Sequence, residues 1–111
     1  MTAHPKIESI RSLNDAFRRS FLGGKVMLTR GVAAFDPPAL AELLDKIRTF
    51  HDFSEANDPH SEHDFGAIDH DGDRIFWKID AYDKAFRFHS PDASDPTVTS
   101  RVLTVMLAEE Y

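Results

Sequence analysis

The chain has 111 residues, 41% of them hydrophobic and 29% charged, with a net charge of −6 and no cysteine. That length fits one domain that buries a core without cross-links, and the composition is globular rather than disordered. The absence of cysteine excludes a disulfide framework, a thiolate zinc site, an iron–sulfur cluster and a cysteine nucleophile, and it fits a reducing compartment.

The first predicted element is a helix over residues 7–21. Ile7, Ile10, Asn14, Phe17 and Phe21 recur at steps of three and four and share a face, while Arg11, Asp15, Arg18 and Arg19 fall largely off it. Asn14 on that apolar face reads as a buried amide tying the helix to a neighbouring loop. Gly23-Gly24 ends the helix, and Lys25 to Thr29 reads as a short strand. Asp36-Pro37 is a helix start, with Asp36 as cap and Pro37 at the first helical position. Leu40, Leu43, Leu44, Ile47 and Phe50 form its apolar stripe.

Residues 54–63 are polar and broken by Asp58-Pro59. From Phe65 to Phe88 the pattern predicts a three-stranded meander. Asp71-Gly72 marks its first turn and Asp83-Lys84 its second, and Phe86 and Phe88 continue the alternation. Trp77 and Tyr82 read as core or cross-strand partners. Asp95-Pro96 repeats the cap-then-proline signal and predicts a last helix to about Glu109, with Val98, Val102, Val105 and Met106 on one face. The order α-β-α-β-β-β-α gives an α+β fold: a small antiparallel sheet of about four strands with three helices, residues 1–111 forming a single domain.

The charge is unevenly spread. Residues 1–51 carry +3, residues 52–95 carry −8 and residues 96–111 carry −1. An acidic middle argues against direct nucleic-acid binding, which needs clustered cations, and admits a cationic ligand, a metal or a basic protein partner. The N-terminal stretch MTAHPKIESIRSLNDAF has no apolar secretory core, and no apolar run reaches the roughly 20 residues of a membrane span. The expectation is a cytoplasmic protein without membrane attachment.

The stretches LNDAFRRSFLGGKVMLTRGV, FHDFSEANDPHSEHDFG, FWKIDAYD and SPDASDPTVTSRVLTVMLAEEY cover most of the chain. They resemble a family of small bacterial proteins, mainly alphaproteobacterial and often plasmid-borne, known as a domain of unknown function numbered 3768. Where that family has Tyr-Tyr-Asp, this chain has Ala81-Tyr82-Asp83. The resemblance implies family membership and association with mobile elements. It implies no activity and no catalytic residues.

The run from Asn57 to Gly66 is the segment richest in chemistry. His60, Glu62, His63 and Asp64 are candidate metal ligands, helped by Asp80 or Asp83. The spacing of helical zinc proteases is absent. On a strand Glu62 and Asp64 share one face and His63 takes the other, so only an irregular loop would converge all four. The competing structural reading, which is favoured, has Asp58 making a local turn and Glu62 and His63 pairing with Arg or Lys. In that reading Gly66 admits a close backbone approach or bulge, and Asn14 and Asp83 complete the structural set. For acid–base chemistry the candidates are His63, Glu62 and Asp80, with His63 flanked by Asp64, Asp80 or Asp83. There is no nucleophile elbow, phosphate loop or dinucleotide fingerprint.

These readings favour a noncatalytic binding or regulatory module with an unidentified protein partner. No cofactor is expected unless a divalent metal sits on the candidate cluster. The first alternative is a metal-dependent, hydrolase-like enzyme built on that cluster. The second is an oligomeric accessory protein using a sheet face that carries Phe76 and Tyr82. The oligomeric state is not legible.

Overall fold

Helical and strand periodicities alternate along the chain and meet in one layer of helices over one sheet. The computed structural model describes residues 5–111; residues 1–4, at the start of the stretch read for a secretory leader, lie outside them. The elements are α1 (Pro5–Ser20), β1 (Gly24–Leu28), α2 (Arg30–Ala33), α3 (Pro37–Arg48), β2 (Phe65–His70), β3 (Asp73–Tyr82) and β4 (Ser100–Leu107), followed by a 3-10 turn at Ala108–Glu110. The fold is α+β, as expected, with three α-helices and four strands among the described residues; the order is α-β-α-α-β-β-β rather than α-β-α-β-β-β-α, since α2 is an unexpected helix and the C-terminal segment is a strand. Among the described residues no helix is long and apolar enough to cross a membrane.

The sheet has the order β1-β4-β3-β2. β2 and β3 form an antiparallel hairpin, and β3 and β4 pair antiparallel from Ile75↔Leu107 to Tyr82↔Ser100. The hairpin turn needs two left-handed residues, and Asp71 (φ 51) and Gly72 (φ 87) supply them. β1 lies parallel to β4, from Gly24↔Arg101 to Leu28↔Val105. The sheet is therefore mostly antiparallel with one parallel pair.

Alternation sends Ile75, Trp77 and Ile79 of β3 and Leu103 and Val105 of β4 to one face. There they pack with Phe17 of α1, Val32 of α2 and Leu43 and Ile47 of α3 as one buried core. On α3, Pro37 occupies the first turn, but Asp36 makes no side-chain cap bond. The next two residues are prolines, so the amide hydrogens nearest such a cap are missing.

Three sequence expectations are corrected at the level of single elements. Residues 96–109 are not a helix. Thr97, Val98, Thr99, Val102, Thr104 and Val105 crowd β-branched side chains into a short run, which favours extended chain, and Arg101, Leu103 and Val105 are buried in alternation. The Asp95 carboxylate instead accepts from the Thr97 amide at 2.9 Å and closes a turn.

Phe86 and Phe88 are not in a strand. β2 and β4 flank β3 on its two sides, which leaves a further strand no edge there. The chain turns at Asp83, which accepts from the Arg87 amide at 3.0 Å, and returns through one bridge, Tyr82↔His89. Trp77 and Tyr82 lie five residues apart on one strand, so they take opposite faces and are not partners. Trp77 is in the core. Tyr82 meets the rings of Phe86 and His89 on the other face.

Candidate functional site

The loop between α3 and β2 is held by its own side chains. Asp58 is buried, and its Oδ1 accepts from the backbone amides of Glu62 and His63, both at 3.2 Å. Ser61 (φ 56) and His63 (φ 54) adopt left-handed backbone that side-chain-bearing residues seldom take. These two amide bonds, together with the Ser61 amide on the Asp58 carbonyl at 3.1 Å, hold the tight curl. Asn57 braces the entry, accepting from the Ser54 amide and donating to the Asp52 carbonyl.

His63 turns inward. Its ring stacks on Phe53 with centroids 3.7 Å apart, its Nδ1 lies 2.9 Å from Asp15 Oδ1, and its Nε2 lies 3.6 Å from Asp58 Oδ2. Asp15 also accepts from Arg18 Nη1 at 2.9 Å. Arg18 is 1% exposed, donates to the Phe50 carbonyl at 3.0 Å, and lies over the rings of Phe53 and Trp77. Burial alone would raise the Asp15 pKa, but the bonds from Arg18 and His63 outweigh it and hold the carboxyl below its ordinary range. Both His63 nitrogens thus face carboxylates, and neither is Asp64, Asp80 or Asp83. The acid–base pairings expected for His63 are replaced by Asp15 and Asp58.

Glu62 and Asp64 turn the other way. Together with Ile10 and Asn14 of α1, Ser90 and Arg101, they line a cleft of about 260 Å³ at the end of β3. Burial, and then the charge of the neighbouring Asp64, raise the pKa of Glu62, against the opposing charge of His60. Burial also raises Asp64; its own amide and the charge of His60 oppose this, and the charges of Asp58 and Asp80 reinforce it. Asp80 borders the same cleft but pairs with Lys78 Nζ at 3.0 Å.

Arg101, on the lining of the same cleft, is 5% exposed. Its Nε donates to Asn14 Oδ1 at 2.8 Å and its Nη2 to the Ala93 carbonyl at 2.6 Å. Asn14 in turn donates to the Glu62 carbonyl at 3.0 Å, so one amide joins α1, the loop and β4. Among the described residues Arg101 has no carboxylate, and Glu62 and Asp64 no cation, within ion-pair distance.

The family described as "Protein of unknown function (DUF3768)" matches residues 28–110. The chain belongs to that family. No curated protein and no solved structure matches it. The DUF3768 match takes in Glu62, Asp64 and Arg101 but leaves out α1, which carries Asn14, Asp15 and Arg18.

The structure therefore divides the sequence candidates. His60 is exposed, His63 and Asp58 face α1, and only Glu62 and Asp64 share the cleft with part of Asp80. Among the described residues no three His, Asp or Glu side chains form a group that could hold a metal ion. Asp83 sits in the turn after β3. Gly66 lies over Trp77, where an added Cβ would stand 2.3 Å from the indole Nε1.

Two buried or half-buried charged residues of these clusters are not singled out by the sequence pattern: Asp15, which falls off the apolar stripe, and Arg101, which lies in a segment that reads as helix. Nor does the pattern single out a third buried group. His70 accepts from Lys46 Nζ at 3.0 Å through Nδ1, which leaves Nε2–H to donate to the Ala39 carbonyl at 3.0 Å. It lies beside a second hollow, of about 280 Å³.

Proposed function

We propose that this DUF3768 protein is a noncatalytic binding module whose site is the cleft between α1, the 58–64 loop and the end of β3. One observation carries the reading. Opposite charges line the same small hollow without forming an ion pair: the Arg101 guanidinium and the Glu62 and Asp64 carboxylates. A buried charge without a counter-ion is costly to fold. A ligand that supplies the missing charge recovers that energy. His63 is bonded to Asp15 through Nδ1, stacked on Phe53 and turned away from the cleft, which favours binding over proton transfer there. The cysteine-free composition supports work in a reducing compartment, and the acidic middle of the chain supports partners other than nucleic-acid phosphates.

The test is a thermal-shift screen of charged small molecules and short basic peptides on the wild type and on the E62Q/D64N variant. The expected result is a compound that raises the wild-type Tm, acts less on the variant and is recovered chemically unchanged. A compound converted to product, or one whose effect ignores the substitutions, overturns the reading.

A further inference from the structure

The distribution of charge around the cleft says more than that something binds. Arg101 is held by two hydrogen bonds to neutral acceptors, the Asn14 amide oxygen and the Ala93 carbonyl. Its Nη1 makes no bond to any described residue. A guanidinium has five N–H donors and pairs best with a planar carboxylate through two of them. Here Nε and Nη2 are fixed on the protein, so the side chain is oriented, and Nη1, which is not sealed from solvent, is left for an acceptor from outside the chain.

Glu62 and Asp64, which line the same cleft, have no hydrogen-bond donor from another side chain. They lie on one side of the loop because His63 between them takes the other. The third carboxylate at the rim, Asp80, is already paired with Lys78. The cleft lining thus carries one cationic group, Arg101, and one anionic pair, Glu62 and Asp64, with the His89 ring also on it. Its volume of about 260 Å³ falls below the roughly 300–1,000 Å³ of sites for drug-sized ligands, so the occupant is small.

We propose that the cleft binds a small zwitterion of the α-amino acid class, its carboxylate on Arg101 and its ammonium between Glu62 and Asp64. This rests on the binding reading above and narrows it. A peptide terminus brings only one of the two charges, as does a simple amine or carboxylate, and each leaves part of the lining uncompensated. Compensating both parts requires both charges on one short molecule.

The experiment is isothermal calorimetry of the full chain against each free L-amino acid, its C-terminal amide and its N-acetyl derivative. At least one free amino acid is expected to bind, with its amide and its acetylated form weaker by about tenfold or more, the usual consequence of stranding one buried charge. Two variants probe the two charged parts. N14D gives Arg101 a counter-ion of its own while giving up the Nδ2 bond to the Glu62 carbonyl, and E62Q/D64N neutralises the two carboxylates. Each is expected to weaken binding by about tenfold or more while the circular dichroism spectrum stays that of the wild type. Should one variant fail to fold, the other still reads its own part.

Equal binding of the amide or of the acetylated form, lost in E62Q/D64N or in N14D, overturns the zwitterion and leaves the binding cleft standing. Binding unaffected by either variant overturns both. No heat from any free amino acid at millimolar concentration overturns the zwitterion alone.

Discussion

Replacing Asn14 by alanine removes an amide that holds three segments together. The side chain is 3% exposed, and it bonds to the Glu62 carbonyl at 3.0 Å and to Arg101 Nε at 2.8 Å. The first is a neutral bond, worth about 1 kcal/mol net. The second involves a buried cation, whose loss of a partner costs about 2 kcal/mol. The expected loss for Asn14→Ala is therefore about 3 kcal/mol. With an unfolding entropy of ~2.1 cal/mol/K per residue, a chain this long has ~0.23 kcal/mol/K at its midpoint, so the Tm falls by about 13 °C.

Urea unfolding followed by circular dichroism and by Trp77 fluorescence measures the loss, and an unchanged slope separates a stability effect from a change of denatured state. Combining N14A with R101Q is expected to cost less than the two single losses together, by about 1 kcal/mol or more, since both remove the same bond. A loss below about 1 kcal/mol for N14A, or strict additivity in the double variant, would refute the view that this amide joins α1 to β4.

Gly66→Ala places a methyl 2.3 Å from the Trp77 indole nitrogen, in a core with no room, and is expected to lose about 1–3 kcal/mol with a change in tryptophan emission; unaltered emission and Tm would contradict the packing. Glu62 and Asp64 have raised pKa values, so the folded state holds their protons more tightly than the unfolded state. Their contribution becomes more unfavourable as pH climbs from the ordinary carboxylate range through the raised values, and the penalty is complete above them. E62Q and D64N should therefore match or exceed the wild type in urea midpoint at pH 7, and a clear fall in both would count against the assignment. Asp15 has the opposite sign: its lowered pKa gives stability that is complete above the ordinary range and is lost as pH falls through the lowered value. D15N should lose about 3 kcal/mol at neutral pH, by leaving Arg18 and His63 without their carboxylate, and the gap to the wild type should close in acid; a gap independent of pH would refute this.

Much of the architecture is legible where one periodicity stands alone. The stripe through Leu43 and Ile47 admits only a helix, and the alternation of Ile75, Trp77 and Ile79 around Asp71-Gly72 admits only a hairpin. The C-terminal segment fits both periods. Val98, Val102, Val105 and Met106 satisfy a helical face, while Arg101, Leu103 and Val105 satisfy a strand. The β-branched run decides between them, and the Asp95-Pro96 signal points the wrong way because the aspartate serves a turn.

That one ambiguity hid the cleft. An arginine at position 101 of a helix is an exposed cation, whereas on the inner face of a strand it is a buried charge. The split of the 60–64 run was visible in part, since alternation separates His63 from Glu62 and Asp64. Its destinations were not, because Asp15 lies 48 positions from His63 and the contact exists only once α1 packs on the sheet. The parallel pairing of β1 was likewise beyond reach, since nothing local to Gly24–Leu28 indicates a partner so distant in the chain.

The position of β4 between β1 and β3 sets the order in which the chain can mature. At a synthesis rate of ~5–20 residues per second, Gly24 waits ~4–15 s on the ribosome before Arg101 is made. Throughout that interval β1 has no backbone partner, and once Tyr82 is made β3 presents an unpaired edge beside its apolar inner face, the state in which nascent chains most readily stick to one another. The helices and the β2–β3 hairpin can form as they emerge. Joining them into one sheet awaits translation of residues 100–107.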